Sequence, residues 1–230
     1  MSRLLKLSLA LALLSMFVAC QDGVEPPPES TRSPEAQPQL TREQITMLEM
    51  AAKGDTAALK DLLDKGVDVN MRGLDRNTPI MEAAFAGHLE TVKLLLNNGA
   101  DLSAQKNDGA TVVTLDGGHA EIGALFKDVA SLVNASNRGD NKVIEELISK
   151  GTPVNGLDQF GHSALSEAAL NGRTQTVKLL LDKGANPNIK KSDGQSPLEL
   201  ATGQGHKEVV ALLNEAIAKH AKEKPAPTGK

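Results

Sequence analysis

The chain has 230 residues, 40% of them hydrophobic and 23% charged, with a formal net charge of −4 at pH 7. That mildly acidic balance argues against a general binder of nucleic acid or of anionic lipid surfaces, which work through a basic face. Trp and Tyr are absent and only four Phe occur, so the chain offers no aromatic platform on which bases or sugars stack.

Arg3 and Lys6 precede an apolar run over residues 7–18. Positive charge, a short apolar core and a small residue at the end form the pattern of an export signal over residues 1–19. The run is shorter than the roughly 20 residues that a spanning helix takes. It closes on Phe17-Val18-Ala19-Cys20, and Cys20 is the only cysteine. This closure resembles the lipobox of bacterial lipoproteins, Leu-Ala/Ser-Gly/Ala-Cys. Ala19 and Cys20 fit it, while Phe17 and Val18 depart from its commonest residues. The resemblance implies lipidation of Cys20 through a diacylglycerol thioether, with the acylated Cys as the new N-terminus. The alternative is a plain secretory signal with an incidental Cys. Gln21, standing where Asp would retain such a protein at the inner membrane, implies the periplasmic face of the outer membrane, or the cell surface in a Gram-positive host. Loss of Arg3 and Lys6 with the signal moves the net charge from −4 to −6. The mature chain would then hold no free thiol and no disulfide, and its stability would rest on packing.

Residues 20–41 form the next segment, rich in Pro, Glu, Ser and Gln after the Cys. They lack the apolar residues to fold and are expected to form a disordered, partly extended tether. At ~3.1 Å per residue it reaches roughly 60 Å.

From residue 42 the chain repeats itself. Gly54 to Gly87, and later Gly139 to Gly172 to Gly205, recur at steps of 33 residues; Gly66 to Gly99 and Gly151 to Gly184 keep the same step. The best copy reads Thr78-Pro79-Ile80-Met81-Glu82-Ala83-Ala84-Phe85-Ala86-Gly87-His88, then Val92-Lys93-Leu94-Leu95-Leu96, then Asn98-Gly99-Ala100-Asp101. It resembles the ankyrin-repeat consensus Thr-Pro-Leu-His-x-Ala-Ala-x-x-Gly-His, Val-x-x-Leu-Leu, Gly-Ala-Asp, whose period is about 33 residues. Each piece has a physical use. Pro79 falls where a first helical turn has no need of an amide proton. Paired alanines let helices approach, and Gly87 makes the tight turn between them. The positions of Met81, Ser166 and Glu199 lack the consensus His, which predicts a weakened hydrogen-bond motif at each.

A second periodicity of 85 relates Gly54 to Gly139, Gly87 to Gly172 and Gly99 to Gly184. The expected fold is therefore all-α: an ankyrin-repeat solenoid of about six helix-turn-helix repeats in two duplicated three-repeat blocks, with short finger loops. The blocks are expected over residues 42–128 and 129–220, and a disordered tail over residues 221–230. Three regular repeats would take 99 residues, so the 85-residue step is short. Between Gly87 and Gly118 the shortfall trims a first helix around Asp116. Between Gly118 and Gly139 it removes the finger joining the third and fourth repeats. Ile122, Leu125, Phe126, Val129, Leu132 and Val133 then recur at helical spacing. They predict one continuous or barely broken helix between the blocks, the alternative being a sharp turn at Lys127 and Asp128 within a single stack. Either way the row of fingers is expected to be interrupted, leaving two short recognition surfaces.

Catalytic signals are few. His88, His119 and His206 each follow a turn glycine, as in the ankyrin Gly-His turn. No His-Glu-x-x-His, paired Cys or calcium loop accompanies them. No nucleophile elbow occurs, and Asp116-Gly117-Gly118 lacks the strand and Lys-Ser/Thr of a phosphate loop. The chain is expected to be no enzyme, with no catalytic, cofactor or metal site.

Binding positions follow from the resemblance, which implies that finger tips and the residues before the turn glycine line a concave face. On this chain they include Asp75 and Asn77; Gln159, Phe160 and His162; Phe85; Arg138; Leu170 and Asn171. Phe160 and Phe85 stand out as aromatic rings at usually polar, exposed positions, candidate anchors for a partner; the alternative for Phe85 is packing on its neighbouring repeat. The implied protein is a monomeric, exported, lipid-anchored scaffold or accessory factor that binds an unidentified periplasmic or envelope protein and no nucleic acid. The alternative is an inhibitor or immunity protein covering a periplasmic hydrolase or phospholipase.

Overall fold

The computed structural model describes residues 40–114 and 117–223. The segments expected to be an export signal and, up to residue 39, a tether, with Cys20, Asp116 and residues 224–230, lie outside them. Among the described residues there are ten α-helices, α1 (Arg42–Lys53), α2 (Thr56–Asp64), α3 (Pro79–Phe85), α4 (Leu89–Asn97), α5 (Ala120–Arg138), α6 (Asn141–Ser149), α7 (Ala164–Leu170), α8 (Thr174–Asp182), α9 (Pro197–Gly203) and α10 (Lys207–Glu223). No strand forms there, only three isolated β-bridges. Residues 221–223, expected in the tail, are the last turn of α10.

The helices pair as antiparallel hairpins, α1 with α2, α3 with α4, α7 with α8 and α9 with α10. The turn glycines Gly54, Gly87, Gly139, Gly172 and Gly205 have φ between 62° and 81°, a region that L side chains avoid. Crowding adds to that demand. A Cβ on Gly54, Gly87 or Gly172 would lie 2.6 Å from the ring of His88, His119 or His206 in the following repeat. Each ring presents Nε2 to a carbonyl of the earlier repeat: His88 to Ala52 at 3.0 Å, His119 to Phe85 at 3.3 Å and His206 to Leu170 at 3.1 Å. Arg173 takes the same part at Gly139, its Nε donating to the Asn137 carbonyl at 3.0 Å. The histidines are thus staples between successive turns.

α5 organises the molecule. It is continuous over 19 residues, against nine in each of α2, α4, α6 and α8. It begins at His119, on the turn row of the first block, and ends at Gly139, on the turn row of the second. The two turn rows therefore stand about 28 Å apart at opposite ends of one helix. A helix does not reverse direction, so the second block runs antiparallel to the first. The fingers of both blocks, opposite the turns, meet beside the middle of α5. The expected interruption of the finger row is corrected accordingly. Leu102 N–H donates to the Leu157 carbonyl at 3.2 Å, and Leu157 N–H to the Ala100 carbonyl at 3.1 Å. Asn155 Nδ2 donates to the Asn97 carbonyl at 2.9 Å, and Ser103 Oγ to Ser192 Oγ at 3.2 Å. With no finger between the third and fourth repeats, the finger that follows α4 meets those that follow α6 and α8.

The third repeat is more reduced than a trimmed helix. Residues 111–114 are a turn, with Thr114 N–H donating to the Thr111 carbonyl at 3.0 Å, and no first helix occurs there among the described residues. Buried side chains fall into two clusters that share α5. Ile122, Leu125, Phe126 and Val129 belong to the first, Leu132 and Ala135 to the second.

The missing consensus histidines have unequal consequences. Ser166 and Glu199 rebuild the helix start as capping boxes: Ser163 exchanges bonds with Ser166, and Ser196 with Glu199. The Ser196 amide, then its hydroxyl, hold the Glu199 carboxyl below its ordinary range. Met81 has no group to offer, and the buried Thr78 hydroxyl is left without a partner. The predicted weakening is therefore confined to Thr78. Ser163→Ala, which removes a working cap, is expected to cost about 0.5–2 kcal/mol. Thr78→Val, which removes an unsatisfied hydroxyl, is expected to be neutral or stabilising. Urea midpoints of the two variants check the contrast, and equal losses would contradict it.

Candidate functional site

The finger between α6 and α7 is shaped by a buried carboxylate. Asp158 Oδ1 accepts from the amides of Phe160 and His162, both at 2.9 Å, and Asp158 N–H donates to the His162 carbonyl at 2.9 Å. This local Asx-type turn projects the Phe160 ring outward with 68% of the residue exposed. Gln159 beside it is also exposed. The His162 ring lies 6.4 Å from that of Phe160, tilted by 43°.

A second buried carboxylate collects the polar candidates. Glu167, in the middle of α7, is 5% exposed. Its Oε1 lies 3.3 Å from His162 Nδ1, and its Oε2 accepts from Asn137 Nδ2 at 2.8 Å. Its backbone carbonyl accepts from Asn171 Nδ2 at 2.9 Å. Glu167 thus gathers His162, Asn171 and the neighbour of Arg138 into one patch; Arg138 itself is exposed at the end of α5. Leu170 is half-buried and gives its carbonyl to His206. Neither Asp158 nor Glu167 was singled out in the sequence. For Glu167 the signal was present, because Glu82 stands 85 residues earlier in the matching place.

The first block has a sparser version. Asn77 Nδ2 donates to Glu82 Oε1 at 2.5 Å, the counterpart of the His162–Glu167 contact. Asn77 and His162 therefore each spend a side-chain bond within the fold. Asp75 is exposed, and its carbonyl accepts from Asn107 N–H at 3.1 Å. Arg76 follows at φ 59°, where the other fingers place Gly109, Gly161 and Gly194. Leu74 is 68% exposed and Phe85 65%, so Phe85 does not bury itself on a neighbouring repeat. Phe85 and Phe160 lie in different blocks.

The fingertip charges are close to balanced around these apolar residues. Lys191 Nζ lies 3.3 Å from Asp193 Oδ2. The Gln195 amide, followed by Lys191, holds the Asp193 carboxyl below its ordinary range. Among the described residues no group of three or more His, Cys, Asp or Glu side chains could hold a metal ion.

Comparison with known proteins agrees with this geometry. A family model described as ankyrin repeats (3 copies) matches residues 35–115 and 132–223, leaving the first half of α5 between the two matches. The human ankyrin repeat, SAM and basic leucine zipper domain-containing protein 1 is 30% identical over 110 residues, 48% of this chain and 22% of that protein. The mouse 2-5A-dependent ribonuclease is 33% identical over 92 residues, 40% of this chain and 12% of that protein. The Arabidopsis thaliana serine/threonine-protein kinase 12 is 33% identical over 67 residues, 29% of this chain and 15% of that protein. The chain thus matches less than a quarter of the length of each of these relatives.

Proposed function

The chain belongs to the ankyrin-repeat family, whose repeats are typically non-enzymatic modules for protein–protein interaction, and we propose that it is an exported, lipid-anchored member working in the bacterial envelope. It holds a periplasmic or envelope protein near the membrane as a scaffold or accessory factor. It acts as a monomer, without catalysis and without nucleic acid. The observation that carries the binding part is the outward Phe160 ring, fixed by Asp158 on a finger that has no structural need of it. The envelope part is supported by the charged and apolar start of the chain closing on Cys20. The periplasmic face of the outer membrane suits Gln21 after that Cys, and the cell surface is its counterpart in a Gram-positive host.

An inhibitor or immunity role would be supported by acidic tips able to enter a basic cleft. The tips here carry Leu74 and Phe160, with Asp75 beside Arg76 and Asp193 paired to Lys191. A neutral apolar surface of this kind supports the scaffold over the inhibitor.

The anchor has its own test. Cys20→Ser is expected to abolish fatty-acid labelling and release the protein from the membrane fraction. Wild-type protein free of lipid by mass spectrometry would remove the anchor from the proposal while leaving the binding surface in place.

A further inference from the structure

The four finger tips each turn through one residue of positive φ. Gly109, Gly161 and Gly194 fill that place in three of them, and Arg76, at φ 59°, fills it in the first. Arg76 is the one non-glycine among the described residues in that region, where a Cβ crowds the following carbonyl. Asn and Asp enter it most readily, through short side chains that bond locally, and Arg has no such recourse. Packing does not explain the choice. At Gly161 the neighbouring finger excludes a side chain, since a Cβ there would overlap Ser192 Oγ. At Gly109 and Gly194 a Cβ would meet nothing within 4 Å, so those tips are open and their glycines serve the backbone alone. The Arg76 side chain has no use within the fold either. It is exposed and forms no ion pair among the described residues. Asp75 beside it is unpaired in the same sense, and Arg72 spends Nη1 on the Gln105 carbonyl at 3.2 Å. Lys106 and Asp108 of the next finger offset each other in charge. The backbone under Arg76 is nonetheless fixed. Gly73 N–H donates to the Asn77 carbonyl at 2.8 Å, Arg76 N–H to the Gly73 carbonyl at 2.9 Å, and Asn107 N–H of the next finger to the Asp75 carbonyl at 3.1 Å. Leu74, two residues earlier, is 68% exposed.

We infer that Arg76 is a recognition residue whose guanidinium takes a carboxylate side chain of a partner protein, while Leu74 covers an apolar side chain beside that acid. The inference rests on the reading that the chain binds a protein. Backbone strain of this kind is held at sites of function, and here the fold gains nothing from the side chain that causes it. The guanidinium selects the ligand, because its planar fork of N–H donors meets a carboxylate in two parallel bonds. A protein acid suits this tip better than an anionic lipid surface. Asp75 at the same tip opposes a sheet of negative charge, whereas a protein can set one carboxylate against Arg76 and a donor against Asp75.

The test pairs stability with binding. Arg76→Gly removes the strain and is expected to raise the thermal midpoint of the full chain by about 2–4 °C. A displayed library of linear peptides, panned on the wild-type chain, supplies the binding probes. Enriched peptides are expected to carry Asp or Glu next to a large apolar residue, and to lose about tenfold or more in affinity with Arg76→Gly and with Arg76→Met. Arg76→Met keeps a long side chain and the strained backbone, so its loss of binding at an unchanged midpoint isolates the guanidinium. Added salt should weaken these peptides on the wild-type chain and leave their residual binding to Arg76→Met unmoved. Enriched peptides without an acid, peptides indifferent to both variants, or a library that enriches none overturn the inference. An unchanged or lowered midpoint in Arg76→Gly overturns it too, by removing the strain on which it stands. Peptides lost with Phe160→Ala but with neither Arg76 variant overturn it and leave the protein-binding reading in place.

Discussion

Leu95→Ala and Leu180→Ala are each expected to destabilise the protein by about 2–5 kcal/mol. The two leucines are counterparts across the 85-residue duplication. Both are fully buried, Leu95 in the first cluster and Leu180 in the second. Truncation leaves a void that rigid neighbouring helices close only in part, so the loss exceeds simple transfer of the removed methyl groups. Set against a usual domain stability of about 5–15 kcal/mol, such a loss is a large share.

Their shared consequence is the sharper test. In a repeat array each unit is stabilised chiefly by its neighbours, and two blocks joined by a flexible strap would melt separately. Here α5 places Val129 in one cluster and Leu132 in the other, so neither block can lose its packing without freeing half of that helix. The finger seam adds the Leu102–Leu157 backbone pair. Gly156 lies so close to Leu96 and Val129 that a Cβ there would come within 3.0 and 3.3 Å of them. One cooperative transition is therefore expected in urea, followed by circular dichroism, with both variants moving its midpoint to a similar degree. Two resolved transitions, each sensitive to only one of the leucines, would show that α5 and the seam do not couple the blocks.

The repeats were legible because a 33-residue spacing of glycines is a local, periodic signal. The joining helix was legible too, from Ile122, Leu125, Phe126, Val129, Leu132 and Val133. The antiparallel placement of the second block was implicit in it: a turn-to-turn helix without a finger cannot return to the side it started from. The seam was not legible, because backbone pairing between Leu102 and Leu157 leaves no mark in side-chain pattern. The capping boxes at Ser163 and Ser196 were missed for a different reason. A lost His signals weakness only if nothing replaces it, and Ser166 and Glu199 do. In the candidate site, exposure of Phe85 and Phe160 followed from their register in the repeat. Asp158 and Glu167 were hidden, since a buried carboxylate in a finger or on an inner helix is written in the same letters as a solvated one.

Phe160→Ala is expected to weaken partner capture by about 2 kcal/mol or more, roughly thirtyfold in affinity, while leaving the thermal midpoint nearly unchanged. The separation of the two effects follows from how the finger is built. Its backbone is held by Asp158 through the amides of Phe160 and His162, and none of those bonds uses the phenyl ring. The ring is 68% exposed, so little apolar burial is lost on folding when it is removed. Bound under a partner, the same ring would leave water almost entirely, and aromatic anchors with that history dominate interface energies. Phe85→Ala is expected to act in the same direction, because its ring is also exposed while its carbonyl, bonded to His119, is unaffected by truncation. Lys178→Ala, on a surface pair with Glu208 at 3.7 Å, should change neither binding nor stability appreciably, since exposed pairs contribute little. A partner captured from detergent-solubilised envelope and identified by mass spectrometry supplies the ligand, and calorimetry on the three variants supplies the affinities. Wild-type affinity in both phenylalanine variants would exclude the fingers and inner-helix ends as the binding surface.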